Sequence, residues 1–456
     1  MNFLPSIFRL SAVTRPSRSH RFPLPALAIV PQFSIARSIY SRPASNPLPA
    51  SFLRGGTSKG IFLDRSVLPD DRTQWDRVFL GIMGSPDPEH GRQLNGMGGG
   101  ISSLSKIVVV GPSALDGIDI EYTFVQVGIK DSILDYSGNC GNLSSMVGVF
   151  AVDEGICALP SPAAGQGARS HATIRSFNTN TQKVIDTTFP ISTADPPTPV
   201  LDLQETNISG VPGNASAIVL DFVNPSGART GQLLPTGSPS DILEVPMPTS
   251  IPIRTINKNA GNMLNVQVSC IDASNPTIFV SRDWLATHLP EVIIPLDAYL
   301  GGTGLPSQGV DELLESLRRA GACRMGLDPN AQAQPKIAVL STPSRGTESN
   351  FVEEDVDVVI HALSMGVVHK AVPMTVGLCL GVAARIKNTV PWTVVNQARN
   401  GENKGKVKEG MLRIRHPSGT VDVGAEFDEG DHGLPKVKSA TVIRTGRRLM
   451  KGMVWW

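Results

Sequence analysis

One ordered set of elements occurs twice along this 456-residue chain, and that duplication confines the fold to two similar halves. Near the start, RGGTSKGIFLD passes through a glycine-rich turn, Gly55 to Gly60, into a short apolar strand and then a helix-like stretch with Trp75. Much later CIDASNPTIFV, Cys270 to Val280, does the same ahead of Trp284. Lys106 then opens KIVVV, and Lys336 opens KIAVL. A small-residue apolar helix follows a turn in both places, at Ser137 to Ala151 and at Ala371 to Ala384. Three matched elements in the same order predict two α/β halves and exclude a short-period repeat array.

A Pro/Ser/Thr/Gly-rich region, 158–215, lies between the halves, interrupted by strand-like HATIRSF and KVIDTTF. The expected division is 49–210 for the first half and 211–435 for the second, with 436–456 returning to close the first. Pro235 to Pro248 reads as loop, Asp311 to Ala320 as a helix with Leu313, Leu314 and Leu317 inside, and MLRIRHPSGTVDV as a hairpin. The first 45 residues differ from the rest. They carry arginines at 9, 15, 18, 21, 37 and 42, and no acidic residue occurs before Asp64. That is the composition of a mitochondrial transit peptide, so the matrix is the expected location, with the cytoplasm as the alternative.

Formal net charge is +1, which gives no electrostatic reason to expect a nucleic-acid partner. No run approaches the roughly 20 apolar residues of a membrane-spanning helix. The five cysteines, at 140, 157, 270, 323 and 379, show no CxxC spacing and read as reduced thiols, neither a disulfide frame nor a metal site.

Cys140 stands in the turn SGNCGN directly ahead of its apolar helix. Unpaired backbone N–H groups and the helix dipole favour an anion there, and a docked carboxylate would bring its neighbouring carbon near the sulfur. Lys106 follows the polar turn GMGGGISSLS and begins a continuous apolar strand. RGGTSKG lacks P-loop spacing, and GMGGG precedes a strand, so neither points to a nucleotide. Ser103 to Lys106 spells SxxK, but acyl-enzyme chemistry needs that pair on a helix. His369 lies just ahead of the second small-residue helix and is a candidate for the cleft; His416 reads as structural.

RGGTSKGIF, GSPDP, RQLNGMGGG with SSLSK, GNCGN, SMGVVHKA and TGRRLMKG, taken together and in this order, closely resemble the PrpF family of methylaconitate isomerases. That family is related in fold to diaminopimelate epimerase and includes methylitaconate Δ-isomerase and 4-oxalomesaconate tautomerase. The resemblance implies two epimerase-like halves, each a sheet or barrel-like roll around a central helix, with the active site in the cleft between them. It places the catalytic lysine at Lys106 and the family cysteine at Cys140. The second cysteine of the epimerases is replaced by Met374, so a symmetric two-thiol epimerase is disfavoured, and Cys379 inside the helix reads as packed core.

The activity implied is a cofactor-independent 1,3-allylic proton shift in an unsaturated di- or tricarboxylate, foremost 2-methylaconitate in propionate breakdown. Isomerisation of an oxalomesaconate, itaconate or alkyl-citrate-derived acid is the alternative within the class. A non-catalytic carboxylate-binding protein that assists an aconitase-like dehydratase is the alternative outside it. A homodimer and functional coupling to such a dehydratase are compatible with the resemblance; metal, membrane and nucleic acid have no place in it. To accept a proton the Lys106 amine must be uncharged, which asks for desolvation or a neighbouring cation such as Lys59. Backbone N–H groups at Gly141 and Asn142 are the expected donors to the anionic intermediate. Arg54, Thr57, Ser58, Lys59, Ser102, Ser103, Asn275, Met365 and His369 complete the candidate substrate contacts.

Overall fold

In the computed structural model, the strand KIVVV, Lys106–Pro112, is buried along almost its whole length because both faces of its sheet are covered. Val108 and Val110 point to an inner core, whereas Ile107 and Val109 join an outer one beneath the helix Trp75–Met83. That helix buries Trp75, Val78, Phe79, Ile82 and Met83, a single apolar stripe at helical spacing. The structure describes residues 44–159, 170–248, 263–302, 309–331, 334–343, 356–364, 366–399, 410–428 and 436–456, within one compact unit, 42–456. The expected leader thus falls almost entirely outside the described residues.

The two halves repeat the same strand logic. Leu48–Gly55 pairs antiparallel with Ser58–Asp64, which pairs parallel with Lys106–Pro112. Ile120–Val127 follows antiparallel, Ser170–Asn178 parallel and Lys183–Ile191 antiparallel. In the second half Met263–Ala273, Asn275–Ser281, Lys336–Ser341, Val358–Ser364, Met411–His416 and Gly419–Asp428 alternate antiparallel and parallel in the identical order. Lys106 and Lys336 therefore occupy matching places. The second half is covered on its outer face by Arg282–His288, Ile293–Leu300 and Val310–Arg324, so the helix read over Asp311 to Ala320 is present and longer.

Each roll encloses a helix. In the second half this is Met374–Ala383, buried from Val376 onward, an element apolar on all sides that is stable only inside a core. In the first half the enclosed segment is broken into Gly141–Ser144 and Val147–Asp153. Ser144 Oγ donates to Cys140 O at 3.1 Å, and Ser145 Oγ to Asn142 O at 2.7 Å. Serines bonding back onto the preceding turn in this way bend helices.

Two further expectations change. The region read as loop, Pro235 to Pro248, contains the strand Asp241–Pro246, whose residues alternate buried and exposed beside Met263–Ala273. The segment after residue 435 divides its loyalty. Lys436–Arg444 pairs with Gly419–Asp428 of the second half and with the seam strand Ile218–Val223, and only Gly446–Val454 closes onto Leu48–Gly55 of the first. Ile218–Val223 in turn pairs with Lys183–Ile191, so the sheet runs unbroken from one roll to the other.

Candidate active site

The two enclosed helices meet at their N-terminal ends. Cys140 is the N-cap of Gly141–Ser144, and Pro373 is the N-cap of Met374–Ala383. Gly141 packs against Met374 so closely that a Cβ there would stand 2.8 Å from Met374 Cγ. Met374 thus faces Gly141, the residue after Cys140, and the N-cap position that carries a thiol in the first half carries a proline in the second. Cys379 lies wholly inside the second core, its thiol pushed up to about 12 by burial, as expected of a packing residue.

Three polar groups hold the Cys140 turn in place. The buried Tyr122 hydroxyl lies 2.9 Å from Ser144 Oγ and donates to Asn139 Oδ1 at 3.1 Å. Asn142 Nδ2 donates to Thr57 Oγ1 at 3.0 Å, and Cys140 Sγ lies 3.8 Å from Ser58 Oγ. The glycines of RGGTSKG permit this approach. A Cβ on Gly55 would fall 2.3 Å from Asn142 O, and one on Gly56, whose φ is +51°, 2.3 Å from Asn142 Oδ1. Both positions require glycine for space, and Gly56 also for its backbone conformation.

Lys106 reaches the same end of the inner face by register. The parallel pairing of Ile61 with Ile107 sets it beside Gly60, where an added Cβ would come within 2.8 Å of both Leu143 and Lys106 O. Ser58 is the preceding inward position on that strand, so Lys106 and Cys140 flank the stretch Ser58 to Gly60. Lys106 is 8 % exposed; its amine donates to Gln126 Oε1 and stands 5.1 Å from the Phe124 ring centroid. Gln126 Nε2 is tied to Ser105 O at 3.0 Å and Ser102 O at 3.2 Å, which fixes the acceptor.

The remaining expected residues divide. Ser102 and Ser103 lie on the 3-10 turn Ser102–Leu104 leading into Lys106, and the strand start at Lys106 rules out an SxxK helix. Asn275 is the second-half counterpart of Ser58, buried and bonded through Oδ1 to Gln334 Nε2 at 3.0 Å. Arg54 spends Nη1 on Gly56 O, Thr445 O and Thr445 Oγ1, so it staples the turn. Lys59 points to the outer face, its amine 5.6 Å over Phe52, because alternate strand residues face opposite ways. His369 folds onto its own loop, Nδ1 accepting from Ala371 N at 3.1 Å, and is exposed. Met365 lies outside the described residues.

Arg444, which no motif singled out, and His416, read from the sequence as structural, stand beside the Cys140 turn. Arg444, 7 % exposed, donates through Nε to Asn142 Oδ1 at 3.1 Å and through Nη2 to Met374 Sδ at 3.0 Å, joining the two helix starts. Burial pushes its guanidinium down to about 10, so it remains charged at neutral pH. His416 lines with it a cavity of about 250 Å³ that also touches Thr57, Asn142, Met374 and Ser418. A second cavity of about 370 Å³ opens on the other flank of the Cys140 turn, along Ser137, Gly138, Asn139, Asn275 and Thr375. Cys140 stands between them in sequence, and neither wall includes Lys106. The only signal for Arg444 was its adjacency to TGRRLMKG.

Among the described residues no cluster of His, Cys, Asp and Glu could hold a metal ion, and no helix is long and apolar enough to cross a membrane.

The family model described as PrpF protein matches residues 46–456, nearly all of the chain that the structure describes. The chain belongs to the PrpF family. It is 33% identical to the 3-methylitaconate isomerase of Eubacterium barkeri, the match covering 90% of this chain and 97% of the relative. A 2-methyl-aconitate isomerase of Shewanella oneidensis is 34% identical over 90% and 97% of the two chains, and a 4-oxalomesaconate tautomerase of Pseudomonas putida 30% over 89% and 95%. The crystal structure of a methylitaconate-delta-isomerase superposes with a TM-score of 0.69 at 32% identity, covering 90% of this chain and 96% of the other. This PrpF-family chain has a two-roll mixed α/β architecture with a helix enclosed in each roll and is an isomerase by class.

Proposed function

We propose that this PrpF-family isomerase moves a double bond within an unsaturated di- or tricarboxylate, foremost 2-methylaconitate, with Lys106 as the principal base and Cys140 in support. What supports the reading is that Ser58, whose hydroxyl lies 3.8 Å from Cys140 Sγ, and Gly60, which lies beside Lys106, are successive inward positions of one strand. The amine removes an allylic C–H proton, and the electron pair left behind spreads through the alkene into the adjoining carboxylate. Return of a proton to the far carbon completes the shift with no net change in atoms or oxidation state. Backbone N–H groups at Gly141 and Asn142 are the donors for the anionic intermediate; one such donor contributes about 2.7 to 4 kcal/mol in a transition state. For the amine to reach substrate it must exchange Gln126 Oε1 for it, and the Phe124 ring lowers its contact with water meanwhile.

Incubation with 2-methylaconitate in D2O, followed by NMR of the olefinic and allylic protons, tests this. Exchange and isomerisation should disappear in Lys106→Ala and fall less in Cys140→Ser. Equal abolition by both, with circular dichroism unchanged, would give the thiol a direct part in proton transfer; exchange surviving in Lys106→Ala would remove the lysine from the mechanism. Tight binding of polyacids without any exchange would favour an accessory role.

The arginine-rich leader lies outside the family match, and mitochondrial import is the location this reading carries, checked by where a fluorescent fusion of residues 1–45 accumulates. A homodimer and an aconitase-like dehydratase as functional neighbour complete it, checked by light scattering and by coupled turnover.

A further inference from the structure

Arg444 is a buried cation with no carboxylate partner among the described residues. Its acceptors are the Asn142 side-chain oxygen, the carbonyl of neighbouring Ile443 at 2.7 Å and the weakly accepting sulfur of Met374. A guanidinium has more N–H donors than these acceptors use, and a charge removed from water is normally matched by an anion. The 250 Å³ cavity adjoins it. On the same wall stands His416, whose Nδ1 accepts from Ser418 N at 3.2 Å. The neutral ring must then carry its proton on Nε2, where it can donate. Thr57 adds a hydroxyl and Asn142 an amide.

We infer that Arg444, with His416 beside it, forms a carboxylate-recognition subsite that receives one carboxylate of a polyacid substrate through the cavity between Thr57 and His416. The inference rests on the polycarboxylate reading above and deepens it by naming which side chains read the acid. The guanidinium fork matches a carboxylate with two parallel hydrogen bonds, and Nε2–H of His416 gives a further donor. Arg444 also binds Asn142, so occupancy of the subsite bears on the turn that carries Cys140. Arg444 is here a substrate-binding residue, and that distinguishes it from a strut between the two helices.

Isothermal titration with tricarballylate, a saturated tricarboxylate that cannot isomerise, decides the matter, with glutarate as the acid lacking the middle carboxylate. Affinity of the full chain for tricarballylate should fall at least tenfold in Arg444→Met and recover in part in Arg444→Lys. The preference for tricarballylate over glutarate should shrink accordingly. His416→Ala, which leaves Arg444 in place, should weaken tricarballylate several-fold. An unchanged affinity in folded Arg444→Met overturns the inference, as does an equal loss for both acids accompanied by a lower melting temperature, which marks a strut. If neither Arg444 variant folds, an unchanged affinity in His416→Ala overturns it. Arg444-dependent binding in a wild-type protein that exchanges no substrate proton would sink the isomerase mechanism and leave the subsite standing. Isomerisation with unaltered kcat/KM in Arg444→Met would do the reverse.

Discussion

The fold resists protonation of His416. Burial, then the charges of Arg444 and His369, push its imidazole from the ordinary 6.5 down to about 4. An unfolded chain takes up this proton as the pH falls below about 6.5, whereas the folded chain does so only near 4. Folded stability from this group is therefore complete above about 6.5 and declines between 6.5 and 4. Urea midpoints measured across that window should fall, and His416→Gln should flatten the decline; identical slopes in the two proteins would show that the ring is solvated. Asp87 stays out of the way. Its carboxylate, held near 2 by the backbone N–H groups of Arg92, Gln93 and His90, titrates below the window. Neither Arg444 nor His416 was legible as a site residue. Arg444 belongs to a C-terminal stretch crowded with lysines and arginines, and what separates it from them is burial set by strands far away in sequence. His369 attracted attention by its place before a helix, yet its ring bonds to its own loop.

At the scale of elements, the glycine-rich motifs were readable because they encode close approach. Gly55 leaves room for Asn142 O, so Gly55→Ala should push the Cys140 turn outward. Overpacking of that kind costs roughly 1–3 kcal/mol, and activity should drop further than stability does. Gly452→Ala, which meets nothing within 4 Å, is the control and should melt like the parent. Equal behaviour of the two variants by calorimetry and turnover would mean that the turn has slack. KIVVV and KIAVL were identifiable as strands because both faces of their sheet are covered, which makes the run continuously apolar. DILEVP was lost among prolines and serines, its alternation too short to stand out. The break after Ser144 was equally hidden, since two serines in an apolar helix give no warning of which carbonyls they will seek.

The whole molecule is a duplication whose halves are sewn together by strands out of turn. The repeat predicted two rolls, and the matching strand orders show them; the crossing at Ile218–Val223 and Lys436–Arg444 depends on pairings that no local pattern records. Gly446–Val454 covers the edge of Leu48–Gly55, and the indole of Trp456 donates to Ser45 O at 2.9 Å. Deleting residues 446–456 should therefore strip the first roll of its border and lower the urea midpoint sharply, although nothing in the second roll is removed. A truncated chain unfolding at the parental midpoint would contradict this. The order of synthesis gives the arrangement a further meaning. The first roll leaves the ribosome early yet must wait for Gly446–Val454 before its border is in place, and Arg444 arrives just ahead of that strand. Any chain cut before that point lacks both this border strand and the buried cation, so neither the first roll nor the junction of the two enclosed helices is complete until that stretch has been made.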